Sequence, residues 1–303
     1  MITRRSLGIL ATGFAFAGQL APARAQDWKA KYPELVLAVI PAENGTGVTE
    51  RFAPLVAFLS KELGTKVTLR IAQDYAAVIE GQRAGQVHIG YYGPASFARA
   101  LKEGVKTEAV AQDVNEDGTK GYYSVFYVKK DSPYQKIEDL KGKNLGLVDP
   151  NSTSGYNVPL FALDKMGIKP SEYFSKVVVT GSHENAVLAL QQGTVDVAAN
   201  WYNDDKESNL LRMSRKGMAK AEDFRIIMKS DQIVNSPWAV LSDLPADLKA
   251  AFKAAMLNVA TKDPEAFKKA TDGKAKPWES VDNAAYDPVI KLITFVDGLR
   301  KKS

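Results

Sequence analysis

The chain has 303 residues, of which 45% are hydrophobic and 25% charged, a composition typical of a globular protein. Its formal net charge is +5, but the Lys and Arg residues are spread along the sequence, which argues against a nucleic acid partner. It contains two His and no Cys, which excludes disulfides, a lipid-modified N-terminal Cys and a His/Cys metal site. No metal and no cofactor are therefore expected.

The first 25 residues have the pattern of an export signal. Arg4 and Arg5 begin the segment, residues 7–20 are almost wholly apolar, and residues 23–25 (Ala-Arg-Ala) form a small-x-small cleavage site. The sequence at 3–7 fits a twin-arginine signal, and a general secretory signal can also carry two arginines. Residues 1–25 are therefore predicted to be a signal peptide, and the rest a soluble exported protein.

Strand patterns alternate with helix patterns in two successive series. The first has strands at 35–40, 67–71 and 87–91 and helices at 50–63, 75–84 and 94–101. The second has strands at 121–128, 144–148, 176–180 and 195–198, a helix from about 155, and a helix at 184–192. Strands at 225–228 and 238–240 and helices at 245–257 and 287–299 complete the chain.

This alternation predicts α/β architecture with mainly parallel sheets and helices on both faces. Two series in one chain of this length predict two lobes, and the strands at 121–128 and 225–240 are the expected crossings. Lobe 1 is then discontinuous, with residues 26–121 and 237–303, and lobe 2 has residues 122–236. Ligands of such sheets bind at the carboxyl ends of strands, which places the expected cleft between the lobes.

A hydroxyl-rich segment follows the strand at 144–148. Residues 149–155 read Asp-Pro-Asn-Ser-Thr-Ser-Gly, so that Ser152, Thr153 and Ser154 stand where a helix is expected to begin. The first amides of a helix have no partner inside it, and its dipole makes that end partly positive. Hydroxyls beside those amides form an anion site. A turn followed by a capped helix is the structural alternative, because Ser, Thr and Asn favour N-caps.

The sequence resembles the periplasmic phosphonate-binding subunits of ABC importers, within the type II periplasmic-binding-protein superfamily. The motif at 149–155 is the most specific match. Weaker matches occur at 72–75 (Ala-Gln-Asp-Tyr), 90–93 (Gly-Tyr-Tyr-Gly), 121–124 (Gly-Tyr-Tyr-Ser), 181–183 (Gly-Ser-His), 193–198 (Gly-Thr-Val-Asp-Val-Ala) and 235–238 (Asn-Ser-Pro-Trp).

The resemblance implies a ligand-binding role for specific residues. Ser152, Thr153 and Ser154 would hold the phosphonate oxygens, Tyr75 and His183 would add hydrogen bonds to the same group, and Tyr122 would contact the organic part. Family members that bind 2-aminoethylphosphonate use acidic residues for the ammonium group. Those positions are Asn203 and Ser236 here, and Asp204 and Asp205 lie beside the first and could replace it.

The function that the resemblance implies is solute binding without catalysis. The protein would capture an alkyl- or aminoalkylphosphonate in the periplasm by lobe closure and deliver it, as a monomer, to a permease powered by a separate ATPase. Binding of phosphite, phosphate or another oxyanion is an alternative, as is presentation of a bound oxyanion to a sensor. An exported hydrolase, with Ser154, His183 and one of Asp196, Asp204 or Asp205, is the remote alternative, because no Gly-x-Ser-x-Gly motif supports it.

Overall fold

The computed structural model describes residues 28–301, so the predicted signal peptide at 1–25 lies outside the described residues. Within that range no helix combines the length and the apolar character that a membrane crossing requires. The strands are β1 (Glu34–Val39), β2 (Lys66–Ile71), β3 (Ile89–Tyr91), β4 (Thr107–Asn115), β5 (Gly121–Lys129), β6 (Asn144–Leu147), β7 (Lys176–Val179), β8 (Val197–Asp204), β9 (Glu207–Ser208), β10 (Phe224–Lys229), β11 (Ile233–Val234), β12 (Pro237–Leu241) and β13 (Ala275–Glu279).

The helices connect these strands and cover the sheets. They are α1 (Trp28–Lys31), α2 (Gly45–Leu63), α3 (Tyr75–Arg83), α4 (Pro94–Lys102), α5 (Val158–Lys165), α6 (Pro170–Tyr173), α7 (His183–Gln191), α8 (Asn209–Arg215), α9 (Ala246–Lys262), α10 (Pro264–Ala270) and α11 (Asp287–Arg300). Short 3₁₀ turns occur at Ile137–Leu140, Ala221–Asp223 and Asn283–Tyr286, and a π-helical turn occurs at Thr153–Asn157.

The strands form two sheets, which confirms the predicted α/β class. The first has the order β13-β4-β12-β3-β1-β2, and the second has the order β10-β5-β8-β6-β7 with β9 and β11 at its side. Strands β1, β2 and β3 are parallel neighbours, and so are β6, β7 and β8. The strands β12, β13, β5 and β10 pair antiparallel with their neighbours, so that both sheets are mixed.

Apolar clusters cover both sheets, and one of them includes residues from both. Leu35, Leu37 and Val39 of β1 are almost fully buried against α2, α9 and α10. Phe126 and Val128 of β5 lie in a separate cluster with residues of β6, β8 and α5. Helix α11 contacts both halves of the molecule, since Ile293 packs with residues of α4 and Val296 belongs to the second cluster.

The chain passes between the sheets through two adjacent segments. The start of β5 pairs antiparallel with β11, so that Tyr122 lies opposite Ile233. Asn115 donates from Nδ2 to the carbonyl of Gly121 at 2.6 Å, and Asn235 donates from Nδ2 to the carbonyl of Asp113 at 2.9 Å. These side-chain bonds hold the two connections together. The predicted lobe boundaries at residues 121 and 237 stay a prediction.

Candidate functional site

A cavity of about 120 Å³ lies between the two sheets, at the strand ends where the connections cross. Its lining residues come from elements that pack on both sheets, and they fall into two groups. The first, which we call the hydroxyl cluster, consists of hydroxyl and imidazole side chains that follow β2, β6 and β7 and begin β5. The other is a charged wall, which we define as Glu43, Arg51, Asp113 and Arg212.

The centre of the hydroxyl cluster is the turn that precedes α5. Ser152, Thr153 and Ser154 are each at most 2% exposed, and the Ser152 hydroxyl accepts from the Gly155 amide at 3.1 Å. Thr153 accepts through Oγ1 from the Ala95 amide of α4 at 2.8 Å, so this turn touches an element of the first sheet. A Cβ at position 155 would lie 2.3 Å from a Val148 methyl, which explains the glycine. The predicted helix start is therefore a π-helical turn that concentrates donors at the cavity.

Tyr75 adds a donor without a partner. It begins α3, where Asp74 caps the helix by accepting from the Ala77 amide at 2.8 Å. Its ring is almost fully buried, and its hydroxyl finds no acceptor for its hydrogen among residues 28–301, although the Ser152 hydroxyl lies close by. Burial, together with the nearby charge of Asp149, raises the pKa of Tyr75 well above its usual value. Tyr75 therefore stays protonated and offers an O–H group to the cavity.

His183 begins α7 and has a defined tautomer. Asn200 donates from Nδ2 to the His183 carbonyl at 2.9 Å, and its Oδ1 accepts from the Trp201 amide at 2.9 Å. Its Oδ1 also lies 3.0 Å from His183 Nδ1, which must therefore carry the proton. His183 Nε2 is then free to accept from the Ser152 hydroxyl, 3.3 Å away. Burial lowers the pKa of His183 to about 4, so the ring is neutral near pH 7.

Tyr122, at the start of β5, belongs to the same hydroxyl cluster. Burial raises the pKa of Tyr122 to about 12, so it too remains protonated near neutral pH. Together the Thr153, Ser154 and Tyr122 hydroxyls, the helix-start amides and Tyr75 present donors and little fixed charge, while the Ser152 hydroxyl donates to His183. Such a set suits an oxyanion with several acceptor oxygens.

The charged wall is held by ion pairs. Glu43 Oε1 lies 3.1 Å from Nη1 of Arg51 and 3.6 Å from Nη1 of Arg212, and Oε2 lies 2.8 Å from Nζ of Lys216. Burial opposes ionisation of Glu43, but these cations outweigh it and lower its pKa to about 2. Because α2 packs on the first sheet and α8 on the second, the ion pairs of Glu43 also connect the two halves of the molecule.

Comparison with known proteins identifies the family. The family model described as "ABC transporter, phosphonate, periplasmic substrate-binding protein" matches residues 37–286. The chain belongs to this family. Its members are substrate-binding components of transporters, and its fold is that of the type II periplasmic binding proteins, as predicted.

Individual relatives cover most of the chain. It is 33% identical over 229 residues to the Phosphonates-binding periplasmic protein of Escherichia coli, covering 74% of this chain but only 64% of that relative's length. It is 31% identical over 276 residues to the Phosphate-import protein PhnD of Mycolicibacterium smegmatis, covering 85% and 84% of the two chains. The binding protein component of an ABC phosphonate transporter from Pseudomonas aeruginosa has a TM-score of 0.79 and 27% identity, covering 88% of each chain.

The cavity brings together most of the residues that the sequence predicts to bind the ligand. The predicted residues that line it are Tyr75, Tyr122, Ser152, Thr153, Ser154, His183, Asn203 and Ser236. Asp204 and Asp205 line a separate surface depression with Glu116, Asp117 and Lys206. Asp204 Oδ1 accepts from the amides of Lys206 and Glu207, so its role there is to shape a turn.

Sequence reasoning missed the charged wall. Asp113 lies on β4, whose strand pattern is weak because the sequence includes Gln, Asp and Asn. Arg51 and Arg212 lie on amphipathic helices, where a charged residue is by default exposed to solvent. No local motif marks these residues, and only their burial at 15% side-chain exposure singles out the two arginines.

Proposed function

We propose that this protein binds a small phosphonate in the cavity and delivers it to an ABC permease powered by a separate ATPase. The observation that carries the proposal is the convergence of buried donors, above all the unpartnered hydroxyl of Tyr75 beside Ser152, Thr153 and Ser154. A buried donor without an acceptor is costly, and a phosphonate has three oxygens that can accept. The cavity continues beyond these residues to Trp201 and the charged wall, which leaves room for an organic substituent.

Binding by lobe closure follows from the two-sided lining. We propose that residues 26–121 with 237–303 form one lobe and residues 122–236 the other, because strands before 116 and after 236 share one sheet and the strands between them share the second. The Ala95–Thr153 bond and the Lys216–Glu43 pair join the two sides in this closed arrangement. A ligand held from both sides binds the closed form better than the open one, and so favours closure.

Catalysis is not part of the proposal. A serine hydrolase needs a histidine that accepts the serine proton and is oriented by a carboxylate. Here His183 Nδ1 faces the amide of Asn200, and its Nε2 faces Ser152, which is not the serine of the hypothetical triad. Hydroxyls that donate to a bound phosphonate need no activating base.

The predicted cellular setting completes the proposal. Residues 1–25 would direct export by the general secretory or the twin-arginine route, and the sequence contains no Cys to which a lipid could be attached. The protein would then work as a soluble periplasmic monomer. Its permease contacts the closed form, which makes closure the signal for delivery.

Isothermal titration calorimetry tests the proposal directly. The wild-type protein should bind methylphosphonate, and Ser154→Ala should weaken that binding by about 1.5–3 kcal/mol, the scale of a hydrogen bond to a charged group. Ser60→Ala is the matched control, because Ser60 lies on α2 away from the cavity and bonds only to Val56 and Val67. Phosphate and phosphite are titrated in parallel, and ³¹P NMR of the mixtures detects turnover. Tighter binding of phosphate than of every phosphonate, or any turnover, would refute the proposal.

A further inference from the structure

The cavity has a second end, opposite the hydroxyl cluster, that is lined by charged side chains. Arg51 from α2 and Arg212 from α8 approach the same oxygen of Glu43, and Lys216 approaches its other oxygen. One carboxylate therefore faces three cations. Both arginines also line the cavity, so their guanidinium groups are within reach of a ligand.

Arg51 is the least neutralised of the three cations. Arg212 also pairs with Glu207, whose Oε1 lies 2.5 Å from its Nε, and with Asp272 at 3.8 Å, and Lys216 has a second partner in Glu184 at 3.2 Å. In the described part of the chain, Arg51 forms an ion pair with Glu43 alone. Its Nε is buried and has no hydrogen-bond acceptor there. A buried guanidinium with an unused N–H calls for an acceptor from outside the chain.

Asp113 does not fill this requirement. Its carboxyl oxygens accept from the Tyr91 hydroxyl at 2.5 Å and from the Trp278 indole at 2.8 Å. Burial raises the pKa of Asp113 in spite of these bonds and of the charges of Arg51 and Arg212, and none of its hydrogen bonds goes to either arginine. Asp113 and Glu43 also line this end, but both are already engaged with protein donors, whereas the Arg51 guanidinium retains an N–H without an acceptor among residues 28–301.

We propose that the charged wall binds a carboxylate, and that the preferred ligands are phosphonates carrying a carboxylate on a short carbon chain. This inference rests on the proposed function, which places the phosphonate at the hydroxyl cluster. A planar guanidinium matches the two oxygens of a carboxylate, and hydrogen bonds between charged groups are stronger than neutral ones. Because Arg51 and Arg212 come from elements packed on different sheets, the carboxylate also joins the two sides of the cavity.

The experiment compares four ligands by isothermal titration calorimetry on the chain from Gln26. Methylphosphonate reports the phosphonate site alone, and propylphosphonate, 3-phosphonopropionate and 2-aminoethylphosphonate add an uncharged, an anionic and a cationic end. We expect 3-phosphonopropionate to bind about tenfold or more tightly than propylphosphonate, the effect of one charge-assisted hydrogen bond. In Arg51→Gln this ratio should fall to near one. Arg99→Gln should keep the wild-type ratio, because Arg99 pairs with Asp297 away from the cavity.

Each outcome has a separate meaning. If methylphosphonate does not bind, the proposed function itself fails. If methylphosphonate binds but propylphosphonate and 3-phosphonopropionate bind equally, only the carboxylate site is refuted. Tightest binding of 2-aminoethylphosphonate would also refute it and would assign the far end to Asp113. Equal weakening of all four ligands by Arg51→Gln, with a lowered Tm, would reduce Arg51 to a structural role.

Discussion

Replacing Tyr75 by Phe should make the ligand-free protein more stable and its ligand binding weaker. The Tyr75 hydroxyl is buried and lacks a partner within residues 28–301, while the ring fills space at the start of α3. Removing an unsatisfied buried hydroxyl recovers about 1–3 kcal/mol of desolvation cost, and Phe preserves the packing. Loss of its bond to an anionic ligand should cost about 1.5–3 kcal/mol, which corresponds to a roughly 10- to 150-fold rise in Kd.

Two measurements on the same variant check this prediction. Thermal unfolding without ligand should give a higher Tm, and titration with methylphosphonate should give a higher Kd. Tyr92→Phe is the control, because the Tyr92 ring is equally buried but its hydroxyl donates to Gln82 Oε1 at 2.9 Å. That variant should lose stability and keep its affinity. If Tyr75→Phe lowers Tm and leaves Kd unchanged, Tyr75 is a packing residue and the proposed donor set is wrong.

Three further predictions concern the closed form, the histidine and the surface acids. Lys216→Met should raise Kd and the dissociation rate only a few-fold. Lys216 is 35% exposed, and the ion pairs of such residues are worth about 1 kcal/mol or less. An unchanged dissociation rate in stopped-flow fluorescence would contradict this. At pH 8, wild-type binding of a dianionic phosphonate should take up a proton, since neutral His183 offers only an acceptor at Nε2. Calorimetry in buffers of different ionisation enthalpy measures the uptake, which His183→Asn should abolish. Asp205→Asn should leave Kd for 2-aminoethylphosphonate within about twofold, because Asp205 lies in another depression; a larger loss would restore it as an ammonium partner.

The depressed pKa of His183 also has a consequence for stability. The unfolded chain binds a proton near the usual pKa of 6.5, whereas the folded chain does so only near pH 4. Between these values the unfolded state holds more protons, so this group lowers the free energy of unfolding as pH falls from about 6.5 to 4. His183→Asn should therefore flatten the decline of Tm in this range. An unchanged pH profile would show that His183 is not buried as a neutral ring.

The elements near the hydroxyl cluster could be predicted because they depend on interactions between residues close together in the sequence. The Pro-Asn-Ser-Thr-Ser-Gly segment caps and begins a helix whatever the rest of the chain does, since its hydroxyls and amides lie within a few residues of one another. Similarly, Asp74 caps α3 and thereby fixes Tyr75 at its first turn. The sequence therefore located one end of the cavity, although the π-helical form of the turn was not foreseen.

The other end of the cavity depends on contacts between residues that are far apart in the sequence. Arg212 meets Glu43, Arg51 and Asp113 only when the two sheets face each other, and each of the four stands in a segment without a motif. For the same reason, Asp204 and Asp205 were plausible ligand residues by their position in the chain, yet the turn after β8 points them to a different depression. Sequence by itself determined the family, the α/β class and the hydroxyl-rich turn before α5, because these rest on local patterns. Only the tertiary structure decided the tautomer of His183 and the charged wall, because both depend on which distant side chains packing brings within hydrogen-bond distance.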